Sequence, residues 1–248
     1  MSIEYNHSSE LHTLSGPRVA VPLIFGTATP QSLLDVGCGT GTWLKAAQES
    51  GIADVFGVDG VSVPADQLLI PRSMFHQHDL TRPWNLGRRY GAVLCLEVAE
   101  HLDEQDAPTL IDSLVAHADT IVFSAACPGQ GGQHHVNCQW PSYWQRRFNE
   151  CGYVCIDEVR WRIWSDERIE PWYRQNMFTA QRDPDRAGQE PRIAPVIHPA
   201  MLQMMIDGQV PNHLRYIEEG GQPMNWYVES LFKALSRRLR KKLRSPTS

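Results

Sequence analysis

Long hydrophobic runs are missing from this 248-residue chain. No stretch of about 18 consecutive apolar residues occurs, so no transmembrane helix is expected. The opening residues, MSIEYNHSSELHTL, lack a basic segment followed by an apolar one, so they do not read as a secretory signal. Zinc-type cysteine spacing is absent as well. The cysteines stand at 38, 95, 127, 138, 151 and 155, and Cys151 and Cys155 have no second pair at a finger-like distance. Several sit inside apolar runs, as buried thiols do. A reduced, cytoplasmic protein is the expectation.

Acid is absent from residues 233–248, which carry Lys233, Arg237, Arg238, Arg240, Lys241, Lys242 and Arg244. Without those seven, 16 basic residues face 28 acidic ones, although the whole chain has a net charge of only −5. The body is thus strongly acidic, which disfavours a body-wide nucleic-acid footprint. Leu231, Leu235, Leu239 and Leu243 form an i, i+4 stripe flanked by the basic residues. The tail suits an anionic membrane surface, a partner, or a solvated helix end.

Strand-like runs alternate with helical ones between residue 31 and about residue 180. Strands are expected at Gln31–Val36, Asp54–Val58, Ser73–His78, Gly91–Leu96, Thr120–Ala126, Tyr153–Trp164 and Asn176–Gln181. Helices are expected at Thr42–Glu49, Glu104–Ala118 and Ser142–Cys151. That alternation implies an α/β fold, a parallel sheet covered on both faces, with ligands at the carboxyl ends of the strands. Residues 183–200 are rich in proline and charge and read as a linker or lid. The expected division is a domain over 1–182, followed by the linker or lid and a basic amphipathic helix over 183–248.

The most informative segment is LLDVGCGTGTW, Leu33–Trp43, where a buried strand runs straight into Gly37, Gly39 and Gly41. The spacing is GxGxG and not the GxGxxG of dinucleotide folds, which also makes an NAD enzyme a poor fit. Asp35 suits a ligand carrying an ammonium or sulfonium group better than one carrying a pyrophosphate. Asp59, at the end of the next strand, is placed for ribose hydroxyls.

DVGCGTG followed by that acid resembles the class I S-adenosylmethionine-dependent methyltransferases. HDL (His78–Leu80) is similar to the segment whose acid meets the adenine amino group. LCLEVAEHL (Leu94–Leu102) resembles the strand-four motif of a subgroup that includes ubiquinone-biosynthesis O-methyltransferases. The resemblance spans roughly residues 20–180. It implies a Rossmann-like, seven-stranded, mainly parallel sheet with helices on both faces and a C-terminal helical extension. It implies S-adenosylmethionine as cofactor, with Gly37, Cys38 and Gly39 touching it through backbone atoms. Asp59 would hold the ribose, Asp79 and Leu80 would lie at the adenine, and Leu96 near the amino-acid moiety.

Glu97, Glu100 and His101 follow the fourth strand. If the chain turns helical there, Glu97 shares a face with Glu100 and His101. In small-RNA 2′-O-methyltransferases and some ubiquinone O-methyltransferases, ExxEH supplies metal ligands. The metal set here would be Glu97, Glu100, His101 and His135, holding Mg²⁺ or Mn²⁺ in preference to Zn²⁺. Metal-free relatives carry the same segment, and there it orients a helix.

The loop CPGQGGQHHVNCQW, Cys127–Trp140, follows the fifth strand and belongs on the acceptor side. A sugar hydroxyl is too weak an acid to ionise freely, so a base or a metal must assist methyl transfer. His135 is the first candidate base, with His134 second and His101 nearby. Gln133 and Asn137 could bond acceptor hydroxyls, and Trp140, Tyr143 and Trp144 could stack on it; Trp144 and Phe148 also fit the core face of a helix. PGQGGQHHVN followed by PSYW, with WYRQNMF (Trp172–Phe178), resembles methyltransferases that accompany glycosyltransferases in glycan and natural-product pathways. His7 and His12 are candidates for a cover over the cofactor. The expectation is O-methylation of a saccharide or glycosylated small molecule. The rivals are a metal-dependent RNA 2′-O-methyltransferase and a non-catalytic cofactor-binding scaffold.

Overall fold

A computed structural model describes residues 13–219 and 221–244 of the protein. His7 and His12 lie outside the described residues. The seven strands are β1 (Ser32–Val36), β2 (Asp54–Asp59), β3 (Phe75–Gln77), β4 (Ala92–Leu96), β5 (Thr120–Ser124), β6 (Tyr153–Ile156) and β7 (Phe178–Arg182). They form one sheet in the order β3-β2-β1-β4-β5-β7-β6. All pairings are parallel except those of β7, which runs antiparallel to both β5 and β6.

Strand periodicity explains the two apolar layers, because successive side chains leave a strand on opposite faces. Leu34, Val93, Cys95, Ile121 and Phe123 enter one core, against α3 (Ala107–His117) and α4 (Pro141–Glu150). Leu33, Leu94, Leu96 and Val122 enter the other, against α1 (Ser15–Phe25) and α2 (Thr42–Glu49). Both faces being covered, the strands read as continuous apolar runs. Trp144 and Phe148 of α4 pack on Phe123 with ring centroids 5.2 and 5.3 Å away. Trp144 is therefore core and offers no stacking platform to an acceptor.

The sheet order turns around between β1 and β4, which places the glycine loop after β1 and the Glu97 segment after β4 side by side at the switch point.

The strand expected over Tyr153–Trp164 stops at Ile156, and α5 (Glu158–Ile163) follows. The alternation of Val159, Trp161 and Ile163 imitates a strand. The burial pattern is helical: Val159, Arg160 and Ile163 are buried while Trp161 is 51% exposed. Arg160 stays inside because its guanidinium pairs with Asp157 and donates to the carbonyls of Gln175 and Ala194. Helix α6 (Pro171–Asn176) then leads into β7.

Residues 183–200 are held as a strap. Gln145 donates to the Pro191 carbonyl and accepts from the Ile193 amide, and the His198 amide donates to Gln175 Oε1 at 2.8 Å. The compact unit accordingly runs to Leu202, beyond the boundary expected at 182. The second unit, Gln203–Ser248, contains most of α7 (Pro199–Glu218) and all of α8 (Met224–Arg244). Met201 is buried in the first unit, whereas Met204 is 48% exposed. Among the described residues, no helix is long and apolar enough to cross a membrane.

Candidate active site

The loop between β1 and α2 requires its glycines. Gly37, Gly39 and Gly41 all have positive φ, at 78°, 51° and 84°. A Cβ on Gly37 would also sit 2.2 Å from the Val98 side chain. Four of the loop's N–H groups are committed internally. Those of Gly37 and Cys38 donate to the Val58 carbonyl, that of Gly41 to the Cys38 carbonyl, and that of Gly39 to Asp59 Oδ2 at 2.7 Å. A phosphate cradle needs such donors free. This loop offers carbonyls and carboxylates instead, which suits a ligand bearing positive charge and hydroxyl donors.

Asp35 and Asp59 are both buried. Asp59 also accepts the Val61 N–H at 2.8 Å. One oxygen of Asp35 is buried without a hydrogen-bond partner. Burial, and then the Asp59 charge, push the Asp35 carboxyl up to about 8. A cation beside it would favour its ionised form. Asp79 lies half-exposed after β3, where Oδ1 accepts both the amide and the hydroxyl of Thr81. Leu80 and Leu96 are buried, and Leu96 ends β4.

The segment after β4 departs from the expected helix. Glu97 has φ of +55°, and only Ala99–His101 form a single 3-10 turn. Left-handed backbone is costly for a glutamate and persists only where the surroundings enforce it. Here the Glu97 amide meets the carbonyl and hydroxyl of Ser124. Its carboxylate accepts from Gln130 Nε2 at 2.7 Å and from Asn176 Nδ2 at 3.2 Å. Asn176 Nδ2 also bonds Gln130 Oε1, and Gln175 Nε2 bonds Asn176 Oδ1 and the Cys127 sulfur. These amides, missed in the sequence, fasten Glu97 to the β5 loop and to α6. Asn176 lay within the WYRQNMF run, but an amide carries no motif that marks it.

Glu100 is fully buried, and neither carboxyl oxygen makes a hydrogen bond of normal geometry. Burial raises the proton affinity of both Glu97 and Glu100, most for Glu100, which faces the Glu97 charge. The main chain of Glu100 anchors the histidine loop, since its carbonyl accepts the amides of Val136 and Asn137.

His101 and His135 meet edge to face with centroids 5.0 Å apart. Burial, with the neighbouring His135, pushes His101 down to about 4, and burial also lowers His135. Both are therefore neutral at physiological pH. His135 Nδ1 lies 3.0 Å from the Gln130 carbonyl, an oxygen that can only accept. The proton must therefore sit on Nδ1, leaving the Nε2 lone pair available. The ring lies against Gly132, where a Cβ would stand 2.1 Å from Nε2 and displace it. His134, by contrast, is exposed and has φ of +52°.

One ligand atom each from Glu100, His101 and His135 lie within 4.8 Å of one another. The donor set is one carboxylate and two neutral imidazoles, with one imidazole oriented by a carbonyl as metal-ligating histidines are. Glu97, expected among these ligands, falls outside the group of three and is bonded to amides. Asn137 is buried and bonded to Gln139, and Gln133 is exposed.

A family model described as a methyltransferase domain matches residues 11–178, more than half of the chain. The chain belongs to this family. It is an S-adenosylmethionine-dependent methyltransferase. Among solved structures, the methyltransferase domain of bacterial CtHen1-C is 18% identical, with 69% of this chain and 100% of that one covered at a TM-score of 0.50. Streptomyces venezuelae DesVI is 16% identical, with 68% and 90% covered at 0.50. The sugar N-methyltransferase KedS8 from Streptoalloteichus is 16% identical, with 71% and 90% covered at 0.50. At these identities the likeness is one of fold. No curated protein sequence matches the chain.

Proposed function

We propose that the protein transfers the methyl group of S-adenosylmethionine to a hydroxyl of a saccharide or glycosylated small molecule. The cofactor side is formed by Asp35, the backbone of Gly37, Cys38 and Gly39, and by Asp59, Asp79, Leu80 and Leu96. Asp59 takes the ribose hydroxyls, and Asp35 faces the positive end of the cofactor. The observation that carries the acceptor reading is His135, a neutral imidazole whose Nδ1 proton is held by the Gln130 carbonyl. Its Nε2 accepts the hydroxyl proton as the acceptor oxygen attacks the methyl carbon and the sulfonium becomes a thioether. His101 and the Glu97–Glu100 pair shape that pocket, and His134 stands at its rim.

The clustering of Glu100, His101 and His135 favours a second reading, in which these three hold a divalent cation such as Mn²⁺ or Mg²⁺. When bound, such a cation lowers the pKa of the acceptor hydroxyl. Two imidazoles favour Mn²⁺ over Mg²⁺. An RNA 2′-hydroxyl has the same chemistry as a sugar hydroxyl, but the acidic body argues for an acceptor without phosphates.

The test is release of the demethylated cofactor during incubation with saccharide, amine and oligonucleotide acceptors, with and without a chelator. Turnover on saccharides that survives the chelator supports His135 as base. Turnover lost to the chelator and restored by Mn²⁺ supports the cation. Cofactor binding without turnover on any saccharide would count against the saccharide assignment.

A further inference from the structure

Helix α8 carries an apolar stripe of exposed side chains. Val228, Leu231, Phe232 and Leu235 recur at helical spacing and are 46%, 60%, 65% and 48% exposed. Met224, one turn earlier on the same face, is 77% exposed. Lys233 and Arg237 project from the opposite side, by the 100° step of an α-helix. The sequence then adds Arg238, Arg240, Lys241, Lys242 and Arg244, with no acid after Glu229.

We propose that α8 is an interfacial helix that docks the protein on an anionic lipid surface, lying in the plane of the membrane. Three features argue for that occupant. The apolar stripe has a use at the acyl boundary that a nucleic acid would not give it. The basic residues match a negatively charged leaflet. A second copy of α8 would bring the same seven cations together, which opposes self-association. The charges that make the helix fit a lipid surface also prevent it from spanning one.

The experiment is co-sedimentation of the full chain with phosphatidylcholine vesicles, and with vesicles in which part of that lipid is replaced by phosphatidylglycerol. Binding is expected only to the anionic vesicles and should weaken with added salt. Leu231→Glu with Phe232→Glu should lower the bound fraction on the order of tenfold, because it puts charge on the inserted face. Both positions are exposed, and an unchanged circular dichroism spectrum will show that the fold is intact. The proposal fails if the chain stays in the supernatant with anionic vesicles, or if the double variant sediments as well as the parent. It also fails if the double variant instead dissolves a dimer that never binds vesicles. None of these readouts uses methyl transfer, so the proposal stands or falls apart from the acceptor assignment.

Discussion

The two halves of the sheet's carboxyl edge are built on opposite plans. After β1 and β2, glycines absorb the unusual backbone angles and the amides of Gly37, Cys38, Gly39 and Gly41 are already bonded. After β4 and β5, among the described residues, the two non-glycine residues with positive φ, Glu97 and His134, carry the strain. Buried groups on both sides lack hydrogen bonds of normal geometry, Asp35 Oδ2 in the first half and Asn137 Nδ2 with both oxygens of Glu100 in the second. The first half is completed by its own backbone and asks a ligand only for positive charge and hydroxyls. Both halves bury carboxyls of raised proton affinity, and the second adds two imidazoles, His101 and His135, that burial keeps neutral. A cofactor half can be shared by many enzymes, while an acceptor half must be particular.

The sharpest way to break this contrast is His135→Ala. Turnover should fall roughly 100- to 10,000-fold, the usual worth of a general base, while cofactor affinity by calorimetry stays unchanged. An active variant would remove the acceptor half's defining residue. Asp59→Ala should do the reverse, weakening cofactor binding roughly 100-fold through lost charge-assisted hydrogen bonds. Because Asp59 also holds the Gly39 and Val61 amides, its melting temperature should drop too.

Asn176→Leu removes one donor to Glu97 and should lower kcat about tenfold while leaving cofactor affinity alone. If cofactor affinity falls equally, the two halves are not separable as described.

A last effect is one of pH. The Asp35 carboxyl is raised to about 8 in the folded protein. Below that pH it is largely protonated, so affinity for a cationic cofactor should climb as pH rises towards 8 and then level off. For the same reason the ligand-free fold should lose stability as pH rises from the ordinary carboxylate range to about 8. Asp35→Asn should flatten both trends, as titration calorimetry and thermal melts at several pH values would show.

How much of this was legible in the sequence follows from range. The glycine loop and its acids could be read because strand, turn and helix lie within a few dozen residues and glycine adopts those angles at the least cost. The Glu97 network could not, because its partners, Gln130 and Asn176, are 33 and 79 residues away and amides leave no pattern. The ExxEH spacing suggested one helical face, yet the turn begins after Glu97, so Glu100 and His101 join His135 without it. Helix α5 was read as a strand because Val159, Trp161 and Ile163 alternate, while its actual inner face includes Arg160 and leaves Trp161 exposed. The strap over 183–200 looked loose because its anchors, Gln145, Arg160 and Gln175, are distant polar side chains.

The central claim is that His135 takes the proton from a saccharide hydroxyl as it is methylated. The direct measurement is formation of S-adenosylhomocysteine with a panel of saccharide acceptors, followed for the parent and His135→Ala across pH. Saccharide-dependent product formation that declines as His135 protonates at low pH, and that the variant loses, is the predicted result. Equal product formation by the variant, or turnover confined to amine acceptors, would contradict it.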